Sequence, residues 1–207
     1  MSKWIRYPRA RLDLYEEAIV LTRCEGDDRH TSYPVAVDDL VAAFSRVPIS
    51  SGLLPANCLF WGRENGQIRM AIYVPGRRWQ LRTAERIFHV PLPPLVFVGS
   101  GNAYQIYAAK WRPQAMPFEL FHCPTPNVHP DGAVCQGSAP FPVCASDTIE
   151  QALSLFLEGS LFNDDLAGGK CRRFPDDVRK LWTQLDGAKR FPIGELVPVR
   201  TALDFAL

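Results

Sequence analysis

From Pro126 to Cys135 the chain reads Pro-Asn-Val-His-Pro-Asp-Gly-Ala-Val-Cys. Asp131-Gly132 is a turn pair. A reversal there folds the segment on itself and brings Asn127, eight residues upstream, close to Cys135. A cysteine thiol can carry an acyl group as a thioester. A neutral amide beside it can donate a hydrogen bond to the oxyanion that forms when that thioester is attacked. These ten residues therefore constrain the local fold and point to acyl transfer.

The remaining signals are local and fall in a definite order. Glu17 to Thr22 reads as a first strand. Asp38 or Asp39 caps a short helix with Leu40, Val41 and Phe44 on one face, ended by Pro48. Apolar runs Asn57 to Trp61 and Ile68 to Val74 flank Glu64-Asn65-Gly66-Gln67, a strong hairpin signal because Asn-Gly tolerates positive φ at both turn positions. A second hairpin is expected from Leu95 to Ala108, turning at Gly99-Ser100-Gly101-Asn102. The cysteine segment follows as irregular, proline-punctuated chain.

Beyond it the period changes. Ile149, Leu153, Phe156, Leu157 and Leu161 form a helical stripe, with Asp147 as a cap and Glu150 in the capping-box position. A last helix is predicted from Pro175 to Asp186, with Val178, Leu181, Trp182 and Leu185 on one face and Gly187 as the stop. Local hairpins followed by segregated helices predict an α+β fold: an antiparallel β-meander, an active-site loop and C-terminal helices, preceded by an N-terminal strand-helix extension.

Composition narrows the function. The 207 residues carry 22% charged side chains and a net charge of +1, so no global field favours nucleic acid or an acidic membrane. The longest stretch without Asp, Glu, Lys or Arg, Ile87 to Ala109, is broken by Pro91, Pro93 and Pro94, which rules it out as a membrane helix. The N-terminus lacks the apolar run of a signal peptide, and a cytoplasmic location is the expectation. Six cysteines with no Cys-x-x-Cys pair are expected to be reduced.

Pro126, Asn127, Val128, Gly132, Val134 and Cys135 stand where the active-site signature of ubiquitin-conjugating enzymes places them, with Thr125 in place of the signature histidine and Gln136 in place of its leucine. Pro91-Leu92-Pro93-Pro94-Leu95-Val96-Phe97 resembles the proline-rich lead into that family's last strand. With Tyr104-Gln105-Ile106-Tyr107 and Phe156 to Phe162, the chain resembles a bacterial branch, the prokaryotic ubiquitin-conjugating family D. That branch includes protein B of the PRTRC mobile-element system and the conjugating enzymes of bacterial antiphage operons.

The resemblance implies a ubiquitin-conjugating-like core over residues 55–207, with residues 1–54 as an extension packed on it. It implies a transferase that carries a ubiquitin-like protein as a thioester on Cys135 and passes it to a lysine amine of a protein substrate. Asn127 would be the oxyanion donor, and Asp164 or Asp165 the acid facing the cysteine. The expected partners are a ubiquitin-like modifier, a ubiquitin-activating-like enzyme and, in the same operon, a JAB-type isopeptidase. No organic cofactor or metal is expected.

Each residue also has a plainer reading. Cys135 follows Ala133-Val134 and could be a packing cysteine; Asn127 could be a turn residue. His122, Cys123, His129, Cys135 and Cys144 lack the tight ligand spacing of structural zinc sites. Arg77-Arg78 with Trp79, and Lys170 with Arg172-Arg173, read as solvated basic clusters, with docking to a partner's acidic patch as the alternative. A module that docks a ubiquitin-like partner without catalysis is the alternative function. A cysteine hydrolase with His122 or His129 as base lacks a third, orienting group.

Overall fold

The computed structural model describes residues 10–24, 30–45, 50–64, 66–113 and 118–199. They divide into two units, one within residues 1–50 and one within 51–207. Among the described residues no helix is long and apolar enough to cross a membrane.

In the first unit, β1 (Ala10–Leu14), β2 (Ile19–Cys24) and β3 (His30–Val35) form an antiparallel sheet in that order, and α1 (Val37–Ser45) follows. The predicted first strand starts later than its sequence run. Glu16 and Glu17 bend instead, closed by Tyr15 N–H donating to Ala18 O at 2.8 Å. Pro34 is tolerated in β3 because that strand is an edge, where a missing N–H leaves no neighbour unpaired. Asp38 and Asp39 lie in the first turn of α1, where the helix dipole favours acids.

The second unit is built on a five-stranded antiparallel sheet of order β10-β9-β8-β5-β4. Its strands are β4 (Cys58–Glu64), β5 (Gln67–Val74), β8 (Leu95–Ser100), β9 (Ala103–Ala108) and β10 (Phe121–His122). Both predicted hairpins are present, β4–β5 and β8–β9; Asn65 itself lies outside the described residues. Gly101, at φ +55, makes the β8–β9 turn in a conformation that costs other residues strain.

The sheet is covered on both faces, which explains the unbroken apolar run of β8. Leu95 and Phe97 point into one core with Met70, Ile72, Tyr104 and Ile106. Val96 and Val98 point into the other, with Ala71 and Tyr107. Strand periodicity sends alternate residues to opposite faces, so a central strand buried on both sides must be apolar throughout.

Between β5 and β8 the chain forms a second, two-stranded sheet, β6 (Arg77–Arg82) with β7 (Ile87–Leu92). This hairpin corrects the reading of Arg77-Arg78-Trp79 as merely a solvated cluster. Trp79 and Leu81 are buried and alternate with exposed Arg78, Gln80 and Arg82. The Arg77 guanidinium lies over the Trp79 ring, 3.7 Å from its centroid.

The helical stripe after the cysteine begins as α2 (Ile149–Ser154) and continues as a π-helical turn, Leu155–Gly159. Ile149, Leu153, Phe156 and Leu157 are buried as the spacing requires. Leu161 is 59% exposed instead, because Ser160 leaves the helix with an extended ψ of 148°. Neither Asp147 nor Glu150 caps α2. Thr148 is the cap residue, and its hydroxyl donates back to Val143 O at 2.6 Å.

The last helix, α3 (Arg179–Leu185), begins four residues beyond Pro175. The preceding stretch pairs with a loop, Gly169 N–H donating to Pro175 O and Val178 N–H to Ala167 O. On α3, Trp182 is fully buried, edge-on to both Phe88 and Phe162, and its indole N–H donates to Pro124 O at 2.8 Å. That bond ties the helix to the chain just before Asn127.

Candidate active site

The turn read from Asp131-Gly132 forms a small hairpin. Val128 bridges Val134 antiparallel, and His129 N–H donates to Ala133 O. Gly132 N–H donates to His129 O at 2.9 Å, and Gly132 has φ +87. This is a three-residue reversal closed by a left-handed glycine. One register position beyond the Val128–Val134 bridge, Asn127 stands across from Cys135, and Cys135 N–H donates to Asn127 O at 2.8 Å. Val128 and Val134 are buried, so strand alternation turns Asn127 and Cys135 to the opposite, solvent side.

Gly132 is also a close approach. A Cβ there would stand 2.3 Å from the Tyr107 ring. The Tyr107 hydroxyl donates to Asp131 O, and burial pushes this phenol up to about 12, with Asp131 adding to the shift, so it stays a donor at neutral pH. Gly132→Ala therefore combines a strained φ with a clash. Each costs about 1–3 kcal/mol, and we expect a drop in melting temperature of several degrees together with loss of Cys135 reactivity. A variant that melts like the parent shows that the hairpin re-forms by another route.

Three further segments brace this hairpin. Asn127 N–H donates to Asp165 O at 3.0 Å, and its side-chain amide to Leu161 O at 3.4 Å. Lys170, only 3% exposed, donates to Val128 O at 2.6 Å. Lys170 is thus not part of a solvated cluster with Arg172-Arg173, as its sequence neighbours suggest. Burial lowers its pKa, while Cys123 and Asp131 pull it back up. Thr125, in the place of the signature histidine, is fully buried; its N–H donates to Cys123 O and its hydroxyl to Cys123 Sγ. The Pro124, Val128 and Asp165 carbonyls, held respectively by Trp182, Lys170 and Asn127, fix the loop without an imidazole. Sequence reasoning missed Lys170 and Tyr107, and no motif marks either.

Cys135 opens on a cleft of about 340 Å³. Its wall is formed by Asn127, Gln136 to Ala139, Gly159 to Leu161, Asn163 and Asp165. The π-helical turn delivers Gly159-Ser160 to this wall; such turns recur at functional sites. The structure distinguishes the two acids. Asp165 lines the cleft, and its carboxylate accepts a hydrogen bond from Asn163 Nδ2 at 2.7 Å. Asp164 does not line it and lies within electrostatic reach of Arg179, whose guanidinium is bound by Asp177. No histidine lines the cleft: His129 is exposed at the reversal, and His122 sits half-buried in β10.

Among the described side chains Cys135 is the one exposed cysteine. Burial pushes the Cys123 thiol up to about 12 and the Cys144 thiol up to about 11, and raises those of Cys58 and Cys171. The Cys24 side chain lies outside the described residues. Among the described residues no group of three or more His, Cys, Asp or Glu side chains is placed to hold a metal ion.

No curated protein and no solved structure matches the chain significantly. The family model of prokaryotic E2 family D, E2 denoting a ubiquitin-conjugating enzyme, matches residues 35–199, from the end of β3 through the cleft and α3. By this match, and with an antiparallel α+β core carrying the asparagine–cysteine hairpin, the chain belongs to prokaryotic E2 family D, the bacterial ubiquitin-conjugating-like proteins.

Proposed function

We propose that this chain carries a ubiquitin-like protein as a thioester on Cys135 and transfers it to an amine of a target protein. The observation that carries the reading is the cleft: its exposed thiol stands across from Asn127 in the hairpin, and Asp165 shares the cleft's lining. An activating enzyme hands over the modifier by thioester exchange, and Cys135 then holds its C-terminal carbonyl. The attacking amine approaches past Asp165, which orients it and takes its proton. Asn127 donates to the oxyanion, and the thiolate leaves. Of the two acids, Asp165 is the one with access to the thioester. Residues 1–54 are an extension, and residues 55–207 the ubiquitin-conjugating-like core.

A ubiquitin-like protein and an activating enzyme are the partners this family implies. A JAB-type isopeptidase encoded nearby, and a role in antiphage defence or mobile-element maintenance, complete the proposal.

Cys135→Ser is the test. With the modifier, activating enzyme and ATP, the parent forms an adduct that reductant cleaves. The serine variant forms one that resists reductant, because an alkoxide is a poorer leaving group than a thiolate. Absence of any adduct on either protein favours the non-catalytic docking module.

A further inference from the structure

The thioester reading raises the question of which amines the loaded cysteine can meet. A thioester close to a lysine of its own chain is consumed by self-transfer: the neutral amine attacks the carbonyl carbon, the C–S bond breaks, thiolate returns to Cys135, and an amide forms with loss of the amine proton. Guanidinium groups cannot do this, because arginine stays protonated and delocalised.

The chain contains 18 arginines and only five lysines among its 23 basic residues, although lysine is ordinarily among the commonest residues. The described lysines are also withheld from the cleft. None lines the Cys135 cleft. Lys170, beneath the hairpin, is buried with its ammonium on the Val128 carbonyl. Lys110 pairs with Glu119 at 3.2 Å and lies over the Phe121 ring; Lys180 pairs with Asp176. Lys189 lines a separate groove beside Arg190 and Pro93. Apart from Leu161 and Asp165, the cleft wall is made of small or neutral polar residues such as Ser138, Ser160 and Asn163.

Resting on the thioester reading, we infer that this protein denies its own amines to Cys135, so that the acceptor comes from another molecule.

Acetyl-Gly-Gly mercaptoethanesulfonate thioester, which exchanges with accessible thiols, serves as the acyl donor. After loading and removal of excess donor, the parent should lose its thioester to water. Amide-linked acyl groups on its lysines should not exceed those in Cys135→Ala, which reports direct acylation. Millimolar free lysine should discharge the thioester and so show that it accepts amines. Ser138→Lys, which puts an amine on the cleft wall, should gain amide at position 138 by about tenfold or more over its Cys135→Ala counterpart, as proximity dictates.

Cys135-dependent amide on any lysine of the parent, or on its α-amine, overturns the inference. So does a folded Ser138→Lys variant that gains none while free lysine still discharges it. Failure of Cys135 to load at all is a distinct result: it removes the thioester reading, and this inference with it.

Discussion

Cys135→Ala abolishes the reductant-sensitive adduct and leaves the protein folded. The loss is expected to be complete, because thioester formation needs a thiol that a large partner can reach. Cys58, Cys123, Cys144 and Cys171 are partly or wholly buried, with pKa values raised by that burial. At neutral pH they remain protonated, and the thiolate is the nucleophile. Cys135 is exposed, so truncating it removes little packing, and the variant's unfolding free energy should match the parent's within the roughly 0.5 kcal/mol of ordinary surface changes. Intact mass after incubation with modifier, activating enzyme and ATP is the measurement. An adduct that survives in Cys135→Ala puts the nucleophile elsewhere, and Cys24 would be examined next.

Removing the Asn127 amide slows discharge of the loaded enzyme by about 10² to 10³, the usual cost of one oxyanion donor. The choice of substitution matters. Asn127 has φ +58, a left-handed conformation that asparagine tolerates and that costs alanine roughly 1–2 kcal/mol. Asn127→Ala therefore mixes backbone strain with loss of the amide. Asn127→Gly keeps the conformation open and removes only the side chain, including its long bond to Leu161 O. Its backbone bonds to Asp165 O and from Cys135 N–H can persist. Single-turnover transfer to free lysine from the glycine variant, loaded to the same extent as the parent, isolates the amide. Discharge at the parental rate in that variant would make Asn127 a hinge residue with no part in the chemistry.

The features legible in the sequence are those whose cause lies within a few residues. Gly66 and Gly101 mark the two hairpins, because the turn chemistry is contained in the turn. Asp131-Gly132 marks the reversal that sets Asn127 across from Cys135. The stripe from Ile149 to Leu157 marks a helix by period alone. In each case the local signal and the observed element coincide.

What remained for tertiary structure concerns which side of an element is covered, and by what. Arg77 to Arg82 reads as basic surface until Trp79 and Leu81 find the core and the strand pairs with Ile87–Leu92. Lys170 looks solvated beside Arg172-Arg173 until the fold closes the Asn127–Cys135 hairpin over it, 42 residues away in sequence. Leu161 follows the stripe but emerges into the cleft, because Ser160 leaves the helix first. Asp164 and Asp165 are indistinguishable as neighbours in sequence. Only the Asn163 hydrogen bond and the lining of the cleft separate the acid in the cleft from the one near Arg179. Asparagine, cysteine and the turn between them were written locally. The cleft, the brace beneath it and the acid in its lining are contacts between distant segments, and those exist only once the core has formed.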